Sequence, residues 1–177
     1  MADVLIVNPP SPDGHVYIRD ICRWGRKSRE KMVWPQTSLA YLAAMVPDGM
    51  SVRIIDAIAE EMSLEEFFAE IRKENPKIYV TYIIGSTFQS DAKGVQEAKA
   101  IGSTTVAVGT HVSAVPANTL DQIPELDFVV RHEPEMSFLD IIQHVTDGKP
   151  LEELTGIAYR DASGQHVTAP DRKLVKS

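Results

Sequence analysis

The sequence predicts a doubly wound α/β domain: five parallel strands with a small β-hairpin after them. Three observations carry this. Five short, β-branched apolar runs recur at regular intervals, each run is continuous rather than alternating, and segments of helical periodicity lie between them. Uninterrupted apolar runs suit strands covered on both faces. Strict strand–helix alternation with right-handed crossovers then gives a flavodoxin-like strand order, 2-1-3-4-5.

The first strand is Val4-Leu5-Ile6-Val7. About thirty residues later, Thr37 or Ser38 is expected to cap a helix carrying Leu39, Leu42, Ala43 and Val46, which Pro47 stops. Val52-Arg53-Ile54-Ile55 is the second strand. Ser63-Leu64-Glu65-Glu66 then forms a capping box, and Leu64, Phe67, Phe68 and Ile71 follow at helical spacing. Ile78 to Ile84 is the third strand, and the helix from Asp91 to Ile101 ends at Gly102. Thr105-Val106-Ala107-Val108 and Phe128-Val129-Val130 complete the five. The last helix, Glu135 to Val145, presents Phe138, Ile141, Ile142 and Val145 before Gly148 closes it. Gly156 to Arg160 and Gln165 to Thr168 flank Asp161-Ala162-Ser163-Gly164 as two arms of a hairpin. Residues 1–150 are thus expected to form the α/β domain. Residues 151–177 add the hairpin and a linker, "APDRKLVKS", toward a further domain.

Composition narrows the function classes. Hydrophobic residues make up 44% and charged residues 24%, as in ordinary globular proteins, and no apolar stretch is long enough to span a bilayer. Met1-Ala2-Asp3 carries no basic leader, so a cytoplasmic protein is expected. The single cysteine, Cys22, cannot form an internal disulfide, nor can it supply a cysteine-ligated iron–sulfur cluster or zinc site from this chain alone. A net charge of −7 argues against general nucleic-acid binding. Against that background, "RDICRWGRKSREK", residues 19–31, holds six basic side chains and two acidic ones. Such a run is either a solvated loop face or a contact for an anionic ligand group or an acidic domain. It lies in the long interval after the first strand, where Trp24 and Trp34 argue for packing rather than disorder.

Open α/β sheets bind ligands outside the carboxyl ends of their strands. Here those ends are Asn8-Pro9-Pro10, Gly85-Ser86-Thr87-Phe88, Gly109-Thr110-His111-Val112 and Arg131-His132-Glu133-Pro134-Glu135, which would form one rim. A phosphoacceptor receiver would place acidic residues after strand 1, aspartate at the end of strand 3 and lysine after strand 5, where this chain has Asn8, Gly85 and Arg131. A flavodoxin phosphate loop fails because Pro9, Pro10 and Pro12 lack backbone donors, and a G-x-G-x-x-G dinucleotide loop is missing. What remains is a site with small residues at strands 3 and 4. There Gly85 and Gly109 admit close backbone approach, and Ser86 and Thr87 offer hydroxyls.

Taken together, Val4 to Pro10, Trp34-Pro35, Ser86-Thr87, "GTHVSAVPANTL" and "VVRHEPE" resemble the N-terminal cobalamin-binding domain of radical S-adenosylmethionine enzymes. That group includes methylases and the anaerobic magnesium-protoporphyrin ester cyclase. The resemblance covers roughly residues 3–170. It implies that cobalamin binds the rim, with Asn8, Pro10, Ser86, Thr87, Gly109, His111, Val112 and Glu133 as its contacts. The strand 3 hydroxyls and Gly109 would line a groove for the nucleotide tail, and the corrin ring would lie over the strand ends. At strand 4, Gly109, His111 and Pro116 match the family pattern. At strand 5, Arg131, Glu133 and Glu135 match Arg-Gly-Glu-x-Glu, but His132 stands where the family has glycine. S-adenosylmethionine and an iron–sulfur cluster would belong to a C-terminal radical domain. The C-x-x-x-C-x-x-C motif of that domain cannot occur in a chain with one cysteine, so this chain is not expected to catalyse alone. The alternative is an interaction module of the same fold that has lost the cofactor and docks a partner domain through its basic loop.

Asp13-Gly14-His15 invites a metal reading, since one class of cobalamin domain ligates cobalt through D-x-H-x-x-G. Here Ile18 replaces the glycine and the first helix starts some twenty residues later, so His15 is read as a loop histidine and no metal ligand is expected. His111 either orients its loop or meets the cofactor. Glu133 and Glu135 suit a helix N-terminus. If cobalamin binds, residues 8–35 are expected to form a lid over its upper or tail face.

Overall fold

The computed structural model describes residues 1–19 and 25–173. Residues 20–24 of the basic run, with Cys22 and Trp24, and the last four residues of the tail lie outside the described residues.

The chain opens with β1 (Val4–Asn8), and the long loop after it carries an antiparallel pair, β2 (Tyr17–Ile18) and β3 (Arg26–Lys27). Then come α1 (Thr37–Ala43), β4 (Val52–Asp56), α2 (Leu64–Glu74), β5 (Ile78–Tyr82) and α3 (Phe88–Ala100). β6 (Thr104–Val108) leads into two short helices, α4 (Thr110–Ala114) and α5 (Pro116–Gln122), followed by β7 (Phe128–Val130) and α6 (Pro134–Asp147). The hairpin is β8 (Ile157–Arg160) and β9 (His166–Thr168). The sheet order is β4-β1-β5-β6-β7-β8-β9. Its first five strands are parallel, giving the expected 2-1-3-4-5 order, and β8 pairs antiparallel with β7. The hairpin therefore extends the sheet rather than standing apart from it.

Burial explains why the strands read as continuous runs. Every residue of β1 and β5 is buried because helices cover both faces. Leu5, Val7, Tyr79, Ala107 and Val129 pack toward Phe67 and Ile71 of α2 and Val95 and Ala98 of α3. Val4, Ile6, Val80, Tyr82, Val108 and Val130 pack toward Leu39 and Leu42 of α1 and Phe138, Ile141 and Ile142 of α6. Each fully buried side chain of this size contributes about 1.5–3 kcal/mol. On the first face, α3 crosses β5 closely at Gly94, where an added Cβ would collide with the Tyr79 hydroxyl.

The capping box at Ser63 and Glu66 forms as read. The hydroxyl cap expected for the first helix does not: Gln36 is the N-cap, without a side-chain bond, and Ser38 is turned inward and buried. α1 also stops at Ala43, short of Pro47. The β2–β3 pair left no mark in the sequence, because two-residue strands have no periodicity to detect.

Candidate functional site

The strand ends form one rim, and the thickness of the sheet divides it into two halves with opposite properties. On the α3 side the rim is closed by Arg19, whose side chain is completely buried. Its Nη1 donates to Asn8 Oδ1 and the Pro9 carbonyl, both at 2.8 Å. Its Nη2 donates to Asp91 Oδ1 at 2.6 Å and Thr87 Oγ1 at 3.1 Å. The Thr87 hydroxyl donates onward to Asp91 Oδ2 at 2.7 Å, and Asn8 Nδ2 donates to Asp56 Oδ1 at 2.6 Å. Burial pushes the Asp91 carboxyl up to about 6, against the opposing pull of Arg19 and Thr87. β1 and β5 are neighbours whose connections diverge, so this is the topological switch point at which open α/β sheets usually bind ligands. Here the protein's own guanidinium fills it.

Several of the residues singled out in the sequence are placed by this plug. Asn8 and Thr87 are buried with their polar atoms committed to it. Pro10 is buried and accepts from Ser90 Oγ through its carbonyl at 3.4 Å. Ser86 is exposed and donates to the Gly25 carbonyl at 3.3 Å, tying the end of β5 to the loop beside β3. His111 lies across Gly85, whose added Cβ would sit 3.3 Å from Nδ1, and its ring meets Phe88 edge-on at 5.4 Å. Val112 is fully buried in the α2–α3 side of the core.

The other half of the rim is open. A cleft of about 540 Å³ lies between the N-terminal ends of α1 and α6, above β5 and β6. Gly109 and Glu133 line it, together with Ser38, Tyr41, Tyr82, Thr110, Ser113, Ala114, His132, Pro134 and Glu135. Two features mark it as built for contact. Ser38 is 5% exposed, and its hydroxyl is buried with no hydrogen-bond partner among the described residues. Such a group costs stability unless something satisfies it. Gly109 has φ 129° and ψ 164°, a backbone region that only glycine populates readily. The sequence suggested close backbone approach as the reason for glycine here; the dihedral angles supply a second and stricter one.

His132 also has a left-handed backbone, with φ 61°, and its amide donates to Ser113 Oγ at 2.8 Å. The position therefore retains the geometry that suits glycine although it carries a side chain. Glu133 is the N-cap of α6, and Glu135 lies in the first turn. Ser38 was expected only as a helix cap, and neither tyrosine was expected at the site. A usable signal was nevertheless present: in the 2-1-3-4-5 order the first and last helices share one face, and Tyr82 has the parity of Ile78 and Val80 on that face.

His15 is not part of the cleft. It borders a separate hollow beside the β4–α2 connection, together with Ser11, Lys31 and Glu61. Its Nδ1 lies 3.2 Å from Asp13 Oδ2, and the imidazole is largely exposed. Lys27, aided by the His15 amide and the Tyr17 hydroxyl, holds Asp13 well below the usual carboxylate range. The described residues contain no group of three or more His, Cys, Asp or Glu able to hold a metal ion, and no helix among them is long and apolar enough to cross a membrane.

Comparison with known proteins agrees with this architecture. The family model of the B12 binding domain matches residues 29–142. An uncharacterized methyltransferase of Pyrococcus horikoshii is 30% identical over 145 residues, covering 81% of this chain and 31% of that protein. The anaerobic magnesium-protoporphyrin IX monomethyl ester cyclase of Rubrivivax gelatinosus is 27% identical over 144 residues, covering 77% of this chain and 26% of the cyclase. The chain thus spans less than a third of the length of these relatives. Among solved structures, the radical S-adenosylmethionine methyltransferase TsrM of Kitasatospora setae, with cobalamin and a [4Fe-4S] cluster bound, shares the fold. Its TM-score is 0.73 at 15% identity, over 100% of this chain and 30% of that one. With the family model matching well over half of its length, on a sheet of the expected order, the chain belongs to the B12-binding domain family.

Proposed function

We propose that the cleft between α1 and α6 takes the nucleotide tail of cobalamin, with the corrin ring resting over the strand ends. The observation that carries this reading is the buried, unpartnered Ser38 hydroxyl in the one half of the rim that Arg19 leaves open. The lining fits such a tail: Tyr41 and Tyr82 offer aromatic faces, and Ser38, Thr110 and Ser113 offer hydroxyls. Gly109 brings bare backbone to the cleft. Asn8 and Thr87 act at one remove, by holding Arg19, while His111 and Val112 fix the turn that sets Gly109.

Cobalamin supplies group-transfer chemistry at its cobalt when bound, and the residues here bind and orient it. In this reading the chain is the cobalamin-binding part of a longer radical S-adenosylmethionine enzyme. Methyl transfer or oxidative cyclisation would then fall to a C-terminal domain carrying the S-adenosylmethionine and iron–sulfur sites. The lengths of the curated relatives support this reading.

The test is retention of hydroxocobalamin absorbance through gel filtration by the purified chain. Ala114 is an exposed residue on the cleft wall, so Ala114→Trp should fill the cleft without disturbing the core. Retention is expected for the wild type and loss for this variant. A folded Ala114→Trp protein that keeps the corrinoid places the tail elsewhere, and a wild type that retains none overturns the reading.

A further inference from the structure

The tail beyond β9 runs past a smaller hollow that adjoins the cleft at His132. The Ala169 amide donates to the Ile157 carbonyl at 3.0 Å and the Gly156 amide to the Pro170 carbonyl at 2.8 Å, so the tail continues the β8–β9 ladder. Arg131 holds the next stretch, with Nη1 on the Ala169 carbonyl at 3.2 Å and Nη2 on Asp171 at 2.8 Å. Arg172 pairs with Asp140, which also receives Lys149. One contact reaches the cleft itself: His132 Nε2 lies 3.4 Å from Asp171 Oδ1.

His132 belongs to two adjoining hollows. One is the cleft, and the other is a smaller space of about 260 Å³ bordered by Arg131, Met136, Arg172 and Lys173. Its left-handed backbone is strained for any residue with a side chain. The side chains of His132 and Asp171 are 55% and 62% exposed, so their contact is weak and easily exchanged for another. The firmer holds on the tail, Arg131 and Arg172, are more buried, with side chains 17% and 27% exposed. A strained residue at the mouth, joined to the tail by the weakest of its attachments, is suited to give way when the mouth is needed.

We propose that residues 169–173 form a strap, latched beside the cleft by His132 and Asp171, that loosens when the cleft fills. The inference rests on the cobalamin reading of the cleft. Entry of the tail draws the imidazole away from Asp171, which weakens the hold on residues 171–173 while Arg131, Arg172 and the ladder at Ala169 and Pro170 remain. Occupancy of the cleft is thereby reported to whatever follows Lys173. Coupling is reciprocal, so cutting the latch must favour the ligand.

Two measurements on the same protein test this. Trypsin cleavage after Arg172, followed by mass spectrometry, should accelerate when hydroxocobalamin binds the wild type. His132→Gly removes the imidazole and relieves the backbone. It should cleave fast with or without cobalamin and bind it about two- to fivefold tighter, the upper end being what an exposed ion pair of ~1 kcal/mol amounts to. Asp171→Asn should shift binding in the same direction. Bound cobalamin that leaves cleavage of the wild type unchanged, or weaker binding by folded His132→Gly, overturns the strap alone. Failure of the wild type to retain cobalamin overturns the reading of the cleft and the strap with it.

Discussion

Replacing Arg19 with methionine tests the plug at the switch point. The substitution keeps most of the volume and removes four hydrogen bonds, to Asn8, the Pro9 carbonyl, Thr87 and Asp91. Breaking a buried ion pair from one side costs about 3–5 kcal/mol, because the remaining charge is left buried without its partner. That is a large share of the roughly 5–15 kcal/mol that holds a typical domain together. The loss should appear in urea unfolding as a lower midpoint with an unchanged slope. Arg19→Met/Asp91→Leu, which removes both charges, should recover much of it. The sign with pH follows from Asp91, whose carboxyl burial already pushes up to about 6 and which rises further once Arg19 is gone. A carboxyl with a folded value above its unfolded one binds more protons in the native state, so stability grows as pH falls through that window. The deficit of Arg19→Met relative to wild type should therefore shrink between pH 8 and pH 5. A loss below about 1 kcal/mol, the range of exposed pairs, or a deficit that widens on acidification would refute the buried-pair account.

Two further outcomes follow from other parts of the fold. Gly94→Ala should cost about 1–3 kcal/mol, as overpacking does. Its added carbon meets the Tyr79 hydroxyl and stands 3.1 Å from Phe67 Cε1. Adding Tyr79→Phe removes the first clash and should restore part of the stability; no restoration in thermal or urea unfolding would mean that α3 shifts instead. His15→Ala should leave the visible spectrum of bound cobalamin, and the nitrogen hyperfine pattern of its cob(II)alamin form, unaltered. Loss of an imidazole nitrogen splitting would make His15 the lower ligand.

The fold could be read from the sequence because burial on both faces of β1 and β5 writes itself as unbroken apolar runs, and the Ser63–Glu66 box and Gly148 mark helix ends by local chemistry. The half of the rim that is open could not be read in the same way. Local composition made Ser86 and Thr87 look like the ligand hydroxyls, yet Thr87 faces inward to Arg19 and Asp91, while the inconspicuous Ser38 is the hydroxyl left unsatisfied in the cleft. What separates these cases is long-range pairing. Arg19 meets Asp91 across 72 positions of sequence and Thr87 across 68, and no local pattern distinguishes it from the charged residues that follow it. The basic run read as one solvated face or ligand contact thus begins with a residue of a different kind, a buried strut. By closing the α3 side, Arg19 leaves open the α1–α6 side, the cleft proposed to take the cobalamin tail. The position of the proposed site is in this sense decided by a residue that does not line it.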